Sequence, residues 1–168
     1  MPMTIAEMQV RLSGGAANAN PNLSIGGVMS SVAVSGTPLN NLFDDVTADQ
    51  RATGHIDYRC IYFRNADTVQ TLQTARVFID TQTPSSGTTI DIGLAAGGKN
   101  VDAPAIANET TAPAGVTFVP AANDAAALAL TNMAPSDRFA IWVRRTVASG
   151  TLSAATDDFI LRFNGTPS

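Results

Sequence analysis

Histidine, cysteine and lysine each occur once in the 168 residues, as His55, Cys60 and Lys99. A lone cysteine excludes a disulfide framework within the chain, and its place inside an apolar run marks Cys60 as a small buried hydrophobe rather than a reactive thiol. Charge is scarce: charged residues are 14% of the chain, against roughly 25% in ordinary soluble domains. The net charge of −4 and sequence pI near 4.7 argue against a nucleic-acid binder, because counterion release needs a basic patch and Arg144-Arg145 is the only adjacent basic pair. No apolar run approaches the length of a membrane helix, so no membrane partner is expected. Residues 1–10 carry no cationic region leading into an apolar stretch. No secretory signal is therefore expected, and synthesis and retention in a bacterial cytoplasm are.

Within the charged fraction the bias is strong. Nine of the ten basic residues are Arg, and twelve Asp stand beside only Glu7 and Glu109. Interfaces deplete Lys and Glu and enrich Arg, so this is the composition of a surface that becomes covered. Residues 13–37 contain no charged residue at all. Gly14-Gly15, Gly26-Gly27 and Pro21 break regular structure there, so Leu23, Ile25, Val28 and Met29 cannot easily be buried by the segment itself. The expectation is an arm lying along another surface, its own chain's or a neighbour's. The chain then divides into residues 1–38, an N-terminal strand and extended arm, and residues 39–168, a β-sandwich domain.

The remainder reads as all-β. Residues 7–12 predict a first strand and residues 28–34 a second. Thr47-Ala48-Asp49-Gln50 matches a capping box, with Gly54 placed to end a short helix. Strands follow over 57–64, 74–80 and 88–94, where Thr89, Asp91 and Gly93 alternate with Ile90, Ile92 and Leu94. Residues 97–115 are rich in Ala, Pro, Thr and Asn and become ordered only by packing on the domain. Val116–Val119 is a short strand candidate, and 125–130 is ambiguous between strand and helix. Residues 138–146 and 158–164 close the domain, the latter with Phe159, Leu161 and Phe163 on one face. Seven to eight short strands separated by turns predict an antiparallel β-sandwich.

No set of reactive side chains stands out, and neither an enzyme nor a cofactor is expected. Gly93-Leu94-Ala95-Ala96-Gly97-Gly98-Lys99-Asn100 comes within one residue of a phosphate-binding loop, but Asn100 replaces the magnesium-holding Ser or Thr and Val101-Asp102-Ala103-Pro104 is a poor helix start. It reads as a Gly-rich turn. His55 beside Asp57 lacks a serine in a nucleophile elbow. Asp44-Asp45 and Asp157-Asp158 lack the spacing of a calcium loop and read as helix-start or turn carboxylates. The three glycosylation sequons at Asn22, Asn108 and Asn164 have no meaning without secretion.

Several runs belong together as a type: Arg11-Leu12-Ser13-Gly14-Gly15-Ala16-Ala17-Asn18 with Asn20-Pro21-Asn22-Leu23-Ser24-Ile25-Gly26-Gly27, then Leu42-Phe43-Asp44-Asp45-Val46, Tyr58-Arg59-Cys60-Ile61-Tyr62, Ile106-Ala107-Asn108-Glu109-Thr110-Thr111-Ala112-Pro113-Ala114-Gly115-Val116 and Ala140-Ile141-Trp142-Val143-Arg144-Arg145. As a set they resemble a family of tailed-bacteriophage virion structural proteins, over nearly the whole chain. The resemblance implies a virion component with an immunoglobulin-like sandwich. Size, acidity and the arm favour a capsid decoration (cement) protein on the outer surface of the head, bridging neighbouring capsomers, with the major capsid protein and two further copies of itself, in a homotrimer, as partners. The alternative is a tail- or fibre-associated sandwich module that binds a host-surface glycan or receptor. The aromatic residues fall mostly in strands rather than loops, which favours the first. The candidate contact residues are Arg11, Leu12, Asn18, Asn20, Pro21, Leu23, Ile25 and Val28 in and beside the arm, and Arg59, Arg64 and Arg76 as arginines able to grip partner carboxylates.

Overall fold

Branched and aromatic residues alternating with polar ones set most of the strands: β1 (Met8–Leu12), β2 (His55–Asn65), β3 (Leu72–Thr81), β4 (Thr88–Leu94), β5 (Leu128–Met133), β6 (Arg138–Val147) and β7 (Ile160–Pro167). The computed structural model describes residues 5–37, 39–154 and 157–168, and the boundary expected at residue 38 lies outside the described residues. The strands form two sheets with every pairing antiparallel, a first in the order β1-β2-β6-β4 and a second in the order β5-β3-β7. The sheets face each other across one core. Ile61, Phe63, Ile90, Ile92, Ile141 and Val143 come from the first sheet; Leu72, Val77, Ile79, Leu130 and Met133 come from the second. All are essentially inaccessible, each stabilising the fold by about 1.5–3 kcal/mol relative to exposure.

The helix α1 (Ala48–Thr53) is built as its sequence requires. The Thr47 hydroxyl accepts from the Gln50 amide at 3.2 Å, the Gln50 side chain accepts from the Thr47 amide at 2.9 Å, and Gly54 ends it. Two expected strands are reduced to single bridges. Residues 28–34 run beside β1 with one bridge, Arg11 to Ala33, and 116–119 meets β4 only at Ile92 to Val119. The ambiguous 125–130 stretch is a turn of 3-10 helix (Asp124–Ala126) leading into β5.

Burial in β2 departs from simple alternation, because every residue from Asp57 to Phe63 is buried. Period 2 predicts one solvated face; here the outer face of the first sheet is covered as well. Tyr58, Cys60, Tyr62, Ala140 and Trp142 on that face form a second cluster with Ala95 and Ala103, flanked by Met29, Ile106, Val116 and Phe118. The cover is main chain from residues 13–34 and 95–119, small residues lying flat on large ones. The arm is thus bound within its own folded unit, and removing the first 36 residues would strip a strand and half of this cover. Of the two surfaces expected for the arm, its own chain's and a neighbour's, it lies along the first.

Candidate functional site

The arm binds its own chain mainly through backbone. Leu12 N donates to Val32 O (3.1 Å), Ser30 N to Leu12 O (2.8 Å) and Val34 N to Val10 O (2.9 Å), extending the first sheet beyond β1. Past the end of β1, Cys60 N donates to Ser24 O (2.7 Å), and Gly27 N to Ala103 O (2.7 Å). Tyr62 closes the latch: its hydroxyl donates to Gly27 O at 2.7 Å and accepts from Ala103 N at 2.9 Å. The buried hydroxyls of Ser13 and Ser24 accept the Gly26 and Ser13 amides at 3.1 Å each, so uncharged groups satisfy the polar atoms a charge-free arm must bury.

This accounts for most of the expected contact residues. Leu12 is buried, and Ile25 is half-buried with its carbonyl accepting from Ile106 N at 3.0 Å. The Asn18 side chain donates to Ser13 O (2.6 Å), Asn20 caps the turn that Pro21 begins, and Arg11 bonds to the Gln9 side chain and Ser31 O. Leu23 and Val28 remain exposed, at 56% and 50%, and Asn20 is exposed as well. Of the arginines, Arg76 pairs with Asp124 at 2.6 Å, and Arg64 is half-buried without an ion pair among the described residues. Arg59 is fully buried within its own chain, where it acts as an internal tie.

Arg59 belongs to a charged cluster that the sequence does not announce. Its guanidinium meets Glu109 at 2.6 Å, Leu42 O at 3.2 Å and the Asn22 side chain at 3.3 Å. Arg145 grips both oxygens of buried Asp57, at 3.1 and 2.6 Å, and also bonds Asp44 O at 2.6 Å. Both guanidiniums lie over the Phe43 ring, 5.4 and 4.7 Å from its centre. The carboxylates of Asp44, Asp57 and Glu109 come within 4.8 Å of one another, and the two arginines interleave with them. The result is a closed structural network. His55 stands 3.9 Å from Asp57, whose oxygens Arg145 already occupies. The cluster depends on the register that sets Asp57 opposite Arg145, which neighbouring residues in sequence do not reveal.

The other weighed groups are also internally engaged. Lys99 of the Gly-rich turn pairs with Asp137 at 2.8 Å, and Asp157 accepts from Ser85 N at 3.1 Å. Cys60 is buried, which pushes its thiol up to about 12 despite a hydrogen bond with Ser13. Among the described residues, a groove of about 860 Å³ opens between the sheets. Val10 and Val34 line one wall, Leu161 and Phe163 the other, with Ile61 and Ile90 between and Asp44, Asp45, Asp157 and Asp158 at its margin. Compared with protein-family models, curated proteins and solved structures, the chain matches none.

Proposed function

We propose that this chain is a structural component of a bacteriophage virion, a decoration protein that binds the outer surface of the head and bridges neighbouring capsomers. The observation that carries the reading is the distribution of charge. Arg59, Arg76, Lys99, Arg138, Arg144, Arg145 and Arg162 are all paired with carboxylates of their own chain. Large apolar residues remain outside instead, among them Val69 at 82%, Leu152 at 85% and Leu39 at 57%. A surface poor in free charge and dotted with apolar side chains suits a protein whose working state is covered by others. A closed trimer at a local three-fold site would let each copy use the same patches. The motifs quoted above supply the virion assignment, and the internal role of the arm moves attachment to exposed residues such as Leu23 and Val28.

The immunoglobulin-like assignment is part of the proposal. The four-plus-three partition and a first sheet running 1-2-x-4 agree with the seven-stranded immunoglobulin arrangement, ABED against CFG. The departure is that β6 rather than β5 stands between β2 and β4, and β3 rather than β6 is central in the second sheet.

Copy number tests the reading. Quantitative mass spectrometry of purified particles is expected to find the chain in hundreds of copies, and heads lacking it are expected to release DNA at lower temperature. A handful of copies at the tail tip would overturn decoration in favour of receptor binding.

A further inference from the structure

The two sides of the cleft between the sheets are finished differently. On the β4 side, residues 119–121 stitch the sheets together: Val119 exchanges hydrogen bonds of 3.0 Å with Ile92 of the first sheet, and Ala121 O accepts from Ile79 N of the second at 2.9 Å. On the β7 side residues 42–44 bond to Arg59 and Arg145 of the first sheet and Phe43 packs on Phe159, but no described segment hydrogen-bonds to both sheets. Among the described residues β7 pairs with β3 alone and ends its sheet, so its outer row of backbone donors and acceptors has no described strand beside it. The apolar residues facing the cleft there are incompletely covered on both walls. Met8, Val10 and Val34 on one and Phe159, Leu161 and Phe163 on the other pack against the core yet stay half-buried, whereas Val77 and Ile79 of neighbouring β3 are fully buried.

We propose that the β7 edge and its groove receive an extended segment of a partner protein, apolar at alternate positions, with lysine or arginine where it meets Asp157 and Asp158. An added strand gains main-chain hydrogen bonds from β7 and sends every second side chain into the groove. Its charge follows from the margin. Asp45, Asp157 and Asp158 line the mouth beside Asp44, which shares Arg59 and Arg145 with the buried cluster, and Arg51, near Val46 O and the Ser153 hydroxyl, is the one other cation among the lining residues. The mouth is therefore net acidic, which disfavours a second copy of this chain, itself at −4, and favours a basic partner. Asp157 and Asp158 precede β7, so a segment added in the antiparallel sense of the sheet carries its basic residues at its C-terminal end. The inference takes from the functional reading only that the chain is a binding module.

The test uses the full chain and a labelled synthetic peptide as long as the eight residues of β7, alternating valine and threonine and ending in two lysines. One control groups the valines together; another ends in two glutamates. Fluorescence anisotropy at low salt is expected to show the alternating basic peptide binding about tenfold tighter than either control, and hydrogen exchange to show new protection along β7. Asp157→Asn with Asp158→Asn keeps the acceptor for Ser85 N and is expected to weaken binding about tenfold without moving the melting temperature. Equal binding of all three peptides, protection elsewhere than β7, or peptide-free self-association that protects the β7 amides would overturn the proposal. A low copy number in particles would overturn the decoration reading and leave the peptide result standing.

Discussion

Both faces of the first sheet are buried along its central strands, β2 and β6, by opposite means. The inner face meets the second sheet side chain to side chain, with Phe63 stacked on Phe163 at 4.3 Å between ring centres. The outer face carries the larger aromatic residues, Tyr58, Tyr62 and Trp142, and is covered by backbone whose own side chains are mostly small. An inner-face truncation leaves a cavity. On the outer face the vulnerable atoms are instead the few polar ones that fix the covering chain, so a change of one oxygen or one hydrogen there acts on a whole segment.

The largest expected effect lies where the inner face passes from apolar to charged. Arg145→Met leaves Asp57, with a side chain only 1% exposed, without its bidentate partner. A buried carboxylate stripped of its cation costs about 3–5 kcal/mol, whereas replacing the pair together costs far less. Denaturant unfolding is expected to show Arg145→Met strongly destabilised and Arg145→Met with Asp57→Leu largely recovered; a double variant as weak as the single would mean that the cluster stabilises through Asp44 and Phe43 instead.

On the outer face, Tyr62→Phe removes one oxygen and leaves Gly27 O and the buried Ala103 N without that partner. The expected loss is about 1–3 kcal/mol, and it is local: hydrogen exchange speeds up across residues 24–33 and 103–106 before β3 or β5 responds. Uniform acceleration would erase the distinction between the faces.

Gly26 and Gly15 sharpen it further. Both have positive φ, +94° and +124°, so an alanine at either suffers similar backbone strain. A Cβ at Gly26 would stand 2.4 Å from Pro104 O, while one at Gly15 would have nothing within 4 Å. The difference between the two variants in melting experiments isolates the cost of close approach between arm and cover, about 1–3 kcal/mol.

The sequence made the strands and the helix legible because period-2 alternation and the Thr47 capping box are local signals. β4 falls on the residues whose alternation predicted it, Thr88 to Leu94. The uncharged arm was legible as a segment needing a cover. Its destination was not, because Gly27 meets Ala103, and Arg59 meets Glu109, across long separations set by tertiary packing. Arg59 read as a strand arginine free to grip a partner; nothing local told that the face around it is closed. The groove likewise arises from the strand order of the second sheet, which places β7 at an edge.

Acid gives the smallest effect and tests the end of the first sheet farthest from the arginine cluster. Asp67 is held below the usual carboxylate range by the amides of Gln70 and Val69, at 2.7 and 2.6 Å. For Asp137, burial raises the pKa, but hydrogen bonds from Asn100 and Lys99 and from Ala134 N outweigh it and the net shift is downward. The two turns adjoin, since Asn65 N donates to Asp137 O at 3.0 Å and Ser136 N to Asn65 O at 2.8 Å. As pH falls, the unfolded chain takes up protons first, near the ordinary value of about 3.9. The stability these carboxylates contribute is therefore complete above that value and lost as pH drops through their lower folded values. Melting temperature is expected to stay flat from neutrality to about pH 5 and to decline below about pH 4, with hydrogen exchange rising first at residues 65–67 and 134–137. Asp67→Asn and Asp137→Asn should each flatten the acid limb, since neither amide titrates. Early opening at the Asp57 end instead would move the acid-sensitive element from these turns to the buried arginine pairs.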